Sequence, residues 1–164
     1  MKIAGRTFSL PKPQVIVIPR EDGDIIFYAA TVIDRDEFDK ICPAPKPPLI
    51  VRRDKTQYTD VTDPKYLDKI GNLSRKRFAW LIIKSLSATP DLTWEKVNIN
   101  DPDTWLNYEE ELKDSGFNTA EINAIVSGVM DANSMNEDKF KAAKDRFIHS
   151  QVAKPLAIFP PEEQ

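Results

Sequence analysis

The stretch QVIVIPREDGDIIFYAATVI, residues 14–33, decides the fold class. Residues 14–18 form a β-branched run, and residues 24–33 form a second run rich in Ile, Phe, Tyr and Val. Such residues suit a pleated, half-buried strand. Asp22-Gly23 between them suits a hairpin turn, because glycine enters positive φ without a Cβ clash. Two strands alone are only marginally stable, so the apolar side of this hairpin needs a cover.

Outward from the hairpin, proline divides the chain. Ten of the 13 prolines gather at 11, 13 and 19, at 43, 45, 47 and 48, and at 155, 160 and 161. Helix interiors reject proline, so these clusters fall between elements. Residues 34–41 read as a short helix. CPAPKPP, residues 42–48, reads as an extended linker. Residues 49–53 read as a third strand.

The cover is expected downstream, where the pattern turns helical. Asp63-Pro64 is a start signal, with Asp as cap and Pro at the first helical position. The helix predicted from there runs to about Ser87, with a weak point at Gly71-Asn72. Its segment 78–83 (FAWLII) is apolar on every side and belongs at the centre of a core. Asp101-Pro102 repeats the start signal, with Trp105, Tyr108 and Leu112 on one face and Glu109, Glu110 and Glu111 on a solvated one. Gly116 is the expected stop. Asn118 with Glu121 forms a capping box, followed by Ile122, Ile125, Val126, Val129 and Met130 at i, i+3, i+4, i+7 and i+8. Asn133 ends that helix. Ser134 with Glu137 starts a last one, whose Phe140, Ala143 and Phe147 face inward.

The predicted class is therefore α+β. A β-rich part, 1–53, contains the linker 42–48; a helical part of about four helices, 63–150, follows; an extended tail occupies 151–164. One compact domain is expected overall.

Composition narrows the function classes. The chain has 164 residues, 41% hydrophobic and 30% charged, enough for a core. Net charge is −3, which offers no strong attraction to nucleic acid or an anionic membrane. One cysteine, Cys42, and one histidine, His149, cannot supply the four ligands of a cysteine/histidine zinc site. The opening MKIAGRTFSLPKP breaks at prolines, so no secretory signal is expected. The longest apolar run is far short of the roughly 20 residues that span a bilayer.

No catalytic constellation emerges. The five glycines are too scattered for a phosphate loop. A nucleophilic triad needs a histidine base, and His149 sits near a helix end beside the tail. Asp34, Asp36, Glu37 and Asp39 lack the glycine of a calcium loop and fit the first turns of a helix, where acids favour the dipole. Residues 131–136, DANSMN, resemble half a calcium loop, but Met135 and Asn136 stand where an oxygen ligand and the glycine belong. No cofactor or metal is expected.

What remains points to protein contacts. Basic groups lie at Arg52-Arg53 with Lys55 and at Arg75-Lys76-Arg77. The tail carries LAIF, residues 156–159, between prolines; it is read as a strap or as a peptide that docks into a groove on a neighbour. The partner-binding residues expected are Arg75, Arg77, Trp80, Leu156, Ile158 and Phe159, with Trp80 also suited to the core.

RKRFAWLIIKSL (75–86), then Asp101-Pro102 with Trp105, then Gly116-Phe117 with Glu121-Ile122, then Phe147, follow in an order that resembles the tail assembly chaperone-like proteins of long-tailed bacteriophages. The resemblance covers residues 60–150. It implies a non-enzymatic binder, made in the host cytoplasm, that coats the tape measure protein before the tail tube polymerises. It implies other tail proteins and further copies of the chain as partners, and neither nucleic acid nor membrane. Some members of that family are also made as a frameshifted, extended form. The alternative is a structural virion component, a tail, neck or capsid accessory protein with proline-rich arms that contact neighbouring subunits.

Overall fold

The structure, a computed structural model, describes residues 2–3, 6–7, 9–134 and 141–146. It is α+β, with small antiparallel two-stranded sheets on the N-terminal side followed by helices. Strands β1 (Lys2–Ile3) and β2 (Arg6–Thr7) pair first. The expected hairpin is β3 (Gln14–Ile18) with β4 (Ile25–Ala29), in a register that sets Ile16 opposite Phe27 and Ile18 opposite Ile25. Gly23 in its turn has φ +125°. Ile16, Ile18, Phe27 and Ala29 are buried, as alternation requires.

The second run stops being strand at Ala29, four residues short of the expectation. Helix ends capture its backbone instead. The Ala30 N–H donates to the Ser85 carbonyl at 3.0 Å, and the Val32 N–H donates to Asn133 Oδ1 at 2.7 Å. Helix α1 (Asp36–Ile41) follows, with Asp34 Oδ1 accepting from the Asp36 N–H at 3.0 Å.

The third strand, β5 (Leu49–Val51), exists, but it does not extend the first sheet. It pairs with β6 (Gln57–Thr59), which the sequence pattern does not reveal. The turn between them puts Lys55 at φ 68° and is closed by Asp54 Oδ1, which accepts from the Thr56 N–H and hydroxyl.

Helix α2 (Pro64–Leu86) is capped as expected, Asp63 Oδ1 accepting from the Tyr66 N–H at 2.8 Å. It runs unbroken through Gly71-Asn72, because tertiary packing outweighs the propensity cost of one glycine. Ala79, Trp80, Ile82 and Ile83 are buried, but Phe78 is 40% exposed, so the FAWLII segment has an outer side.

The helix expected from Pro102 begins later, as a 3-10 turn at Trp105–Asn107 that continues into α3 (Tyr108–Asp114). Polar turn bonds hold the earlier residues: Asp101 Oδ1 accepts from the Asp103 N–H, and the Thr104 hydroxyl binds Asn98. Trp105, Tyr108 and Leu112 are buried on one face, as predicted. The acidic run is not uniformly solvated. Glu111 is buried, and its carboxylate accepts from the Glu95 and Lys96 N–H groups at 2.5 and 2.9 Å, which pins the loop before α3. Gly116, at φ +90°, ends α3; its N–H donates to the Lys113 carbonyl and the Phe117 N–H to the Leu112 carbonyl, the paired bonds of a Schellman stop.

Helix α4 (Thr119–Asn133) carries the predicted capping box in both directions: the Asn118 N–H donates to Glu121 Oε2 and the Glu121 N–H to Asn118 Oδ1. Ile122, Ile125 and Val129 are buried, and Met130 lies at the exposed rim. The single core joins the inner face of β3–β4, Phe38 of α1, the inner face of α2, Trp105, Tyr108 and Leu112, and α4. Among the described residues, no helix is long and apolar enough to cross a membrane.

Contacts divide the chain into two units, Met1–Asn133 and Ser134–Gln164, rather than at the start of the tail. Asn133 is the last residue tied into the first unit, through bonds to Ala30, Val32 and Ser85. Residues 141–146 are helical and exposed, Ala143 included, against the inward face expected of it. Glu137, Phe140, Phe147, His149, Leu156, Ile158 and Phe159 lie outside the described residues.

Candidate functional site

The residues that the sequence singled out on α2 surround a groove. Helix geometry places Ser74, Phe78 and Leu81 on one outward strip, spaced by four and three residues. On one side of the strip, α1 and its entry supply Arg35, Asp36, Phe38 and Asp39; together with Arg77, Trp80 and Leu81 they line a lobe of about 460 Å³. On the other side, Leu106, Tyr108 and Glu109 join Arg75 around a second lobe of about 470 Å³. Ser74 and Phe78 border both, so Phe78 stands as a ridge between two cups.

The floor of the first lobe is aromatic. Phe38 meets Trp80 edge-on at 5.8 Å between centroids and Trp105 at 5.6 Å, and Arg77 lies over the Phe38 ring at 4.8 Å. Trp80 Nε1 is buried and is the one such side-chain polar atom among the described residues without a hydrogen-bond partner. A buried unmade donor is costly, so it marks a place where an acceptor oxygen would be welcome.

The charges around the first lobe are mostly neutralised. Arg77 pairs with Asp39 at 2.5 Å, and Lys84 with Glu37 at 2.9 Å. Arg35 donates to the Asn133 carbonyl at 2.9 Å. Arg75 differs: it is exposed and has no partner among the described residues. In the second lobe, burial, and then the Glu109 carboxylate, push the Tyr108 phenol above its ordinary value. It therefore stays a neutral hydrogen-bonding group at physiological pH. Among the described residues no three His, Cys, Asp or Glu side chains gather as they would to hold a metal ion.

Of the six residues predicted to bind a partner, the structure brings Arg75, Arg77 and Trp80 to this groove. Trp80 is 1% exposed, so it serves as floor rather than as a contact. The ridge Phe78 and its neighbours Leu106 and Tyr108 were missed. Phe78 was hidden in a run that reads as wholly buried, and Leu106 is apolar but 39% exposed beside Trp105. In comparisons with family models, with curated proteins and with solved structures, the chain matches none.

Proposed function

We propose that the chain is a non-enzymatic protein-binding factor that holds an amphipathic helical segment of another protein in the groove across α2. The carrying observation is the half-exposed Phe78 between two preformed cups. A docked helix presents side chains at i, i+3, i+4 and i+7, and two of these fit on either side of such a ridge. The unpartnered Arg75 beside the groove favours a partner with a carboxylate flanking its apolar stripe. The resemblance of residues 60–150 to tail assembly chaperones gives this binder its role, which is to keep a long helical tape measure protein soluble in the host cytoplasm until the tail tube polymerises around it.

Co-expression with the tape measure protein, followed by pull-down, tests this. The wild-type chain should keep that protein soluble, and Phe78→Asp should not, because it places a charge on the ridge while leaving the core intact. If the tape measure protein is equally insoluble with and without the wild-type chain, the proposal fails.

A second reading, a structural virion component, draws on the β5–β6 hairpin, whose Leu49, Val51 and Tyr58 are exposed like a contact arm. Mass spectrometry of purified particles separates the two, since a chaperone leaves the particle and a structural protein stays.

A further inference from the structure

The β3–β4 sheet has one closed edge and one open edge. On β4, the Tyr28 N–H donates to Thr89 Oγ1 at 2.8 Å, and the Thr89 hydroxyl donates back to the Tyr28 carbonyl at 3.2 Å. The Ala30 N–H and carbonyl are taken by Ser85. The backbone of Tyr28 therefore points away from β3. Antiparallel pairs alternate, so Gln14, Ile16 and Ile18 bond to β4 while Val15 and Val17 turn their N–H and C=O groups to the opposite side. There they meet no partner among the described residues. Their side chains are 53% and 50% exposed, beside Ile26 on the same outer face.

Native sheets guard such an edge with charge or proline. Here the guard is partial and symmetric. Pro13 and Pro19 share the outward parity of Val15 and Val17 and lie equally far from Ile16. Between them the strand PQVIVIP is uncharged. The prolines remove the outward donors at both ends and leave a short window open in the middle.

We propose that this window pairs with the same window of a second copy of the chain, antiparallel about a two-fold axis at Ile16. Val15 of each copy then faces Val17 of the other, and each such pair exchanges both backbone hydrogen bonds. Pro13 faces Pro19, where neither can donate, so the ladder ends cleanly and the register is fixed. The product is one four-stranded sheet with Val15, Val17 and Ile26 of both copies on a continuous outer face. The contact is isologous, as a closed dimer requires.

The symmetry of the window favours a second copy as the occupant: Pro13 and Pro19 bracket Ile16 at equal distance, so this uncharged edge is complementary to itself. The one like-charged pair, Lys12 facing Arg20, is weakened because Arg20 is held by its own Glu121 at 3.0 Å. This inference is independent of the groove on α2.

The test uses the full chain. Sedimentation equilibrium over a hundredfold concentration range should show a mass that doubles. Val17→Pro should stay monomeric at every concentration with its thermal unfolding unchanged, because the N–H it removes makes no bond within the chain. Hydrogen exchange on the wild type needs no variant: the Val15 and Val17 amides should be protected at high concentration and exchange freely at low concentration. A wild-type chain that is monomeric throughout overturns the proposal. So does a dimer that survives Val17→Pro, or one in which those two amides stay unprotected.

Discussion

The two larger hairpins of this chain, β3–β4 and β5–β6, are built alike and end differently. Both are antiparallel, and both alternate β-branched or aromatic residues. β3–β4 lays one face on α2 and α4, and its Ile16, Ile18, Phe27 and Ala29 are buried. β5–β6 has no buried residue; Leu49, Val51 and Tyr58 all face out. Strand propensity is common to both, so it cannot be what anchors the first. The helices that cover it do so, together with Ser85, Thr89 and Asn133, which take up the backbone groups at its closed edge.

The sharpest way to break this contrast is to truncate one aromatic in each hairpin. Phe27 is buried, with its ring 5.7 Å from that of Phe117. Phe27→Ala should cost about 3–5 kcal/mol in urea unfolding, the range for emptying an aromatic site in a core. Tyr58→Ala should cost at most about 1 kcal/mol, the worth of an exposed cation–π contact with Arg52. Equal losses would mean that both hairpins belong to one cooperative core.

Next in size is Asn133. Its amide donates to the Ala30 carbonyl, Ser85 Oγ and the Val129 carbonyl, and its Oδ1 accepts from the Val32 N–H. Asn133→Ala leaves several part-buried groups unpaired and should cost about 1–3 kcal/mol. Amide exchange at Val32 should accelerate with it. A milder result follows for Thr89→Val, which keeps the shape and removes only the partner of Tyr28: about 1 kcal/mol, with faster exchange of the Tyr28 amide.

These residues also mark where reading the sequence stops. The first hairpin, α2, the Gly116 stop and the Asn118–Glu121 box are local patterns, and period, caps and turn residues specify them within a few positions. Asn133 was legible as the end of a helix. Its three long-range side-chain bonds, to Ala30, Ser85 and Val32, were not, since nothing near it in sequence indicates that residues 30–32 pass beside it. Glu111 sits in an acidic run with the signature of a solvated face, and only the loop 93–96 folding over it makes it a buried acceptor. β6 was missed because three residues, QYT, between turn-forming stretches carry too little periodicity. The groove was half legible: Arg75 and Arg77 stood out as charge, whereas Phe78 looked like core. A run that is apolar on every side conceals which side the fold leaves open.

The smallest effect tests the second hairpin's own glue. Asp54 is held below the ordinary carboxylate range by the side-chain and backbone hydrogen bonds it accepts from Thr56, and Asp60 likewise by Thr62. A carboxylate whose folded value is depressed adds stability that is complete above its unfolded value and lost as pH falls through the folded one. Acid should therefore loosen the turn 52–56 and the junction 60–62, while β3–β4, anchored by burial and neutral hydrogen bonds, stays paired. The measurement is residue-resolved NMR during an acid titration, following the Thr56 and Thr62 amides against those of Phe27 and Tyr28. Asp54→Asn should remove the Thr56 response and leave that of Thr62. Asp54 is exposed and Asp60 half-buried, and each bond lies within its own turn, so the change is local and small. If all four amides shift together, the hairpins melt as one unit, and the distinction between covered and uncovered strands does not hold.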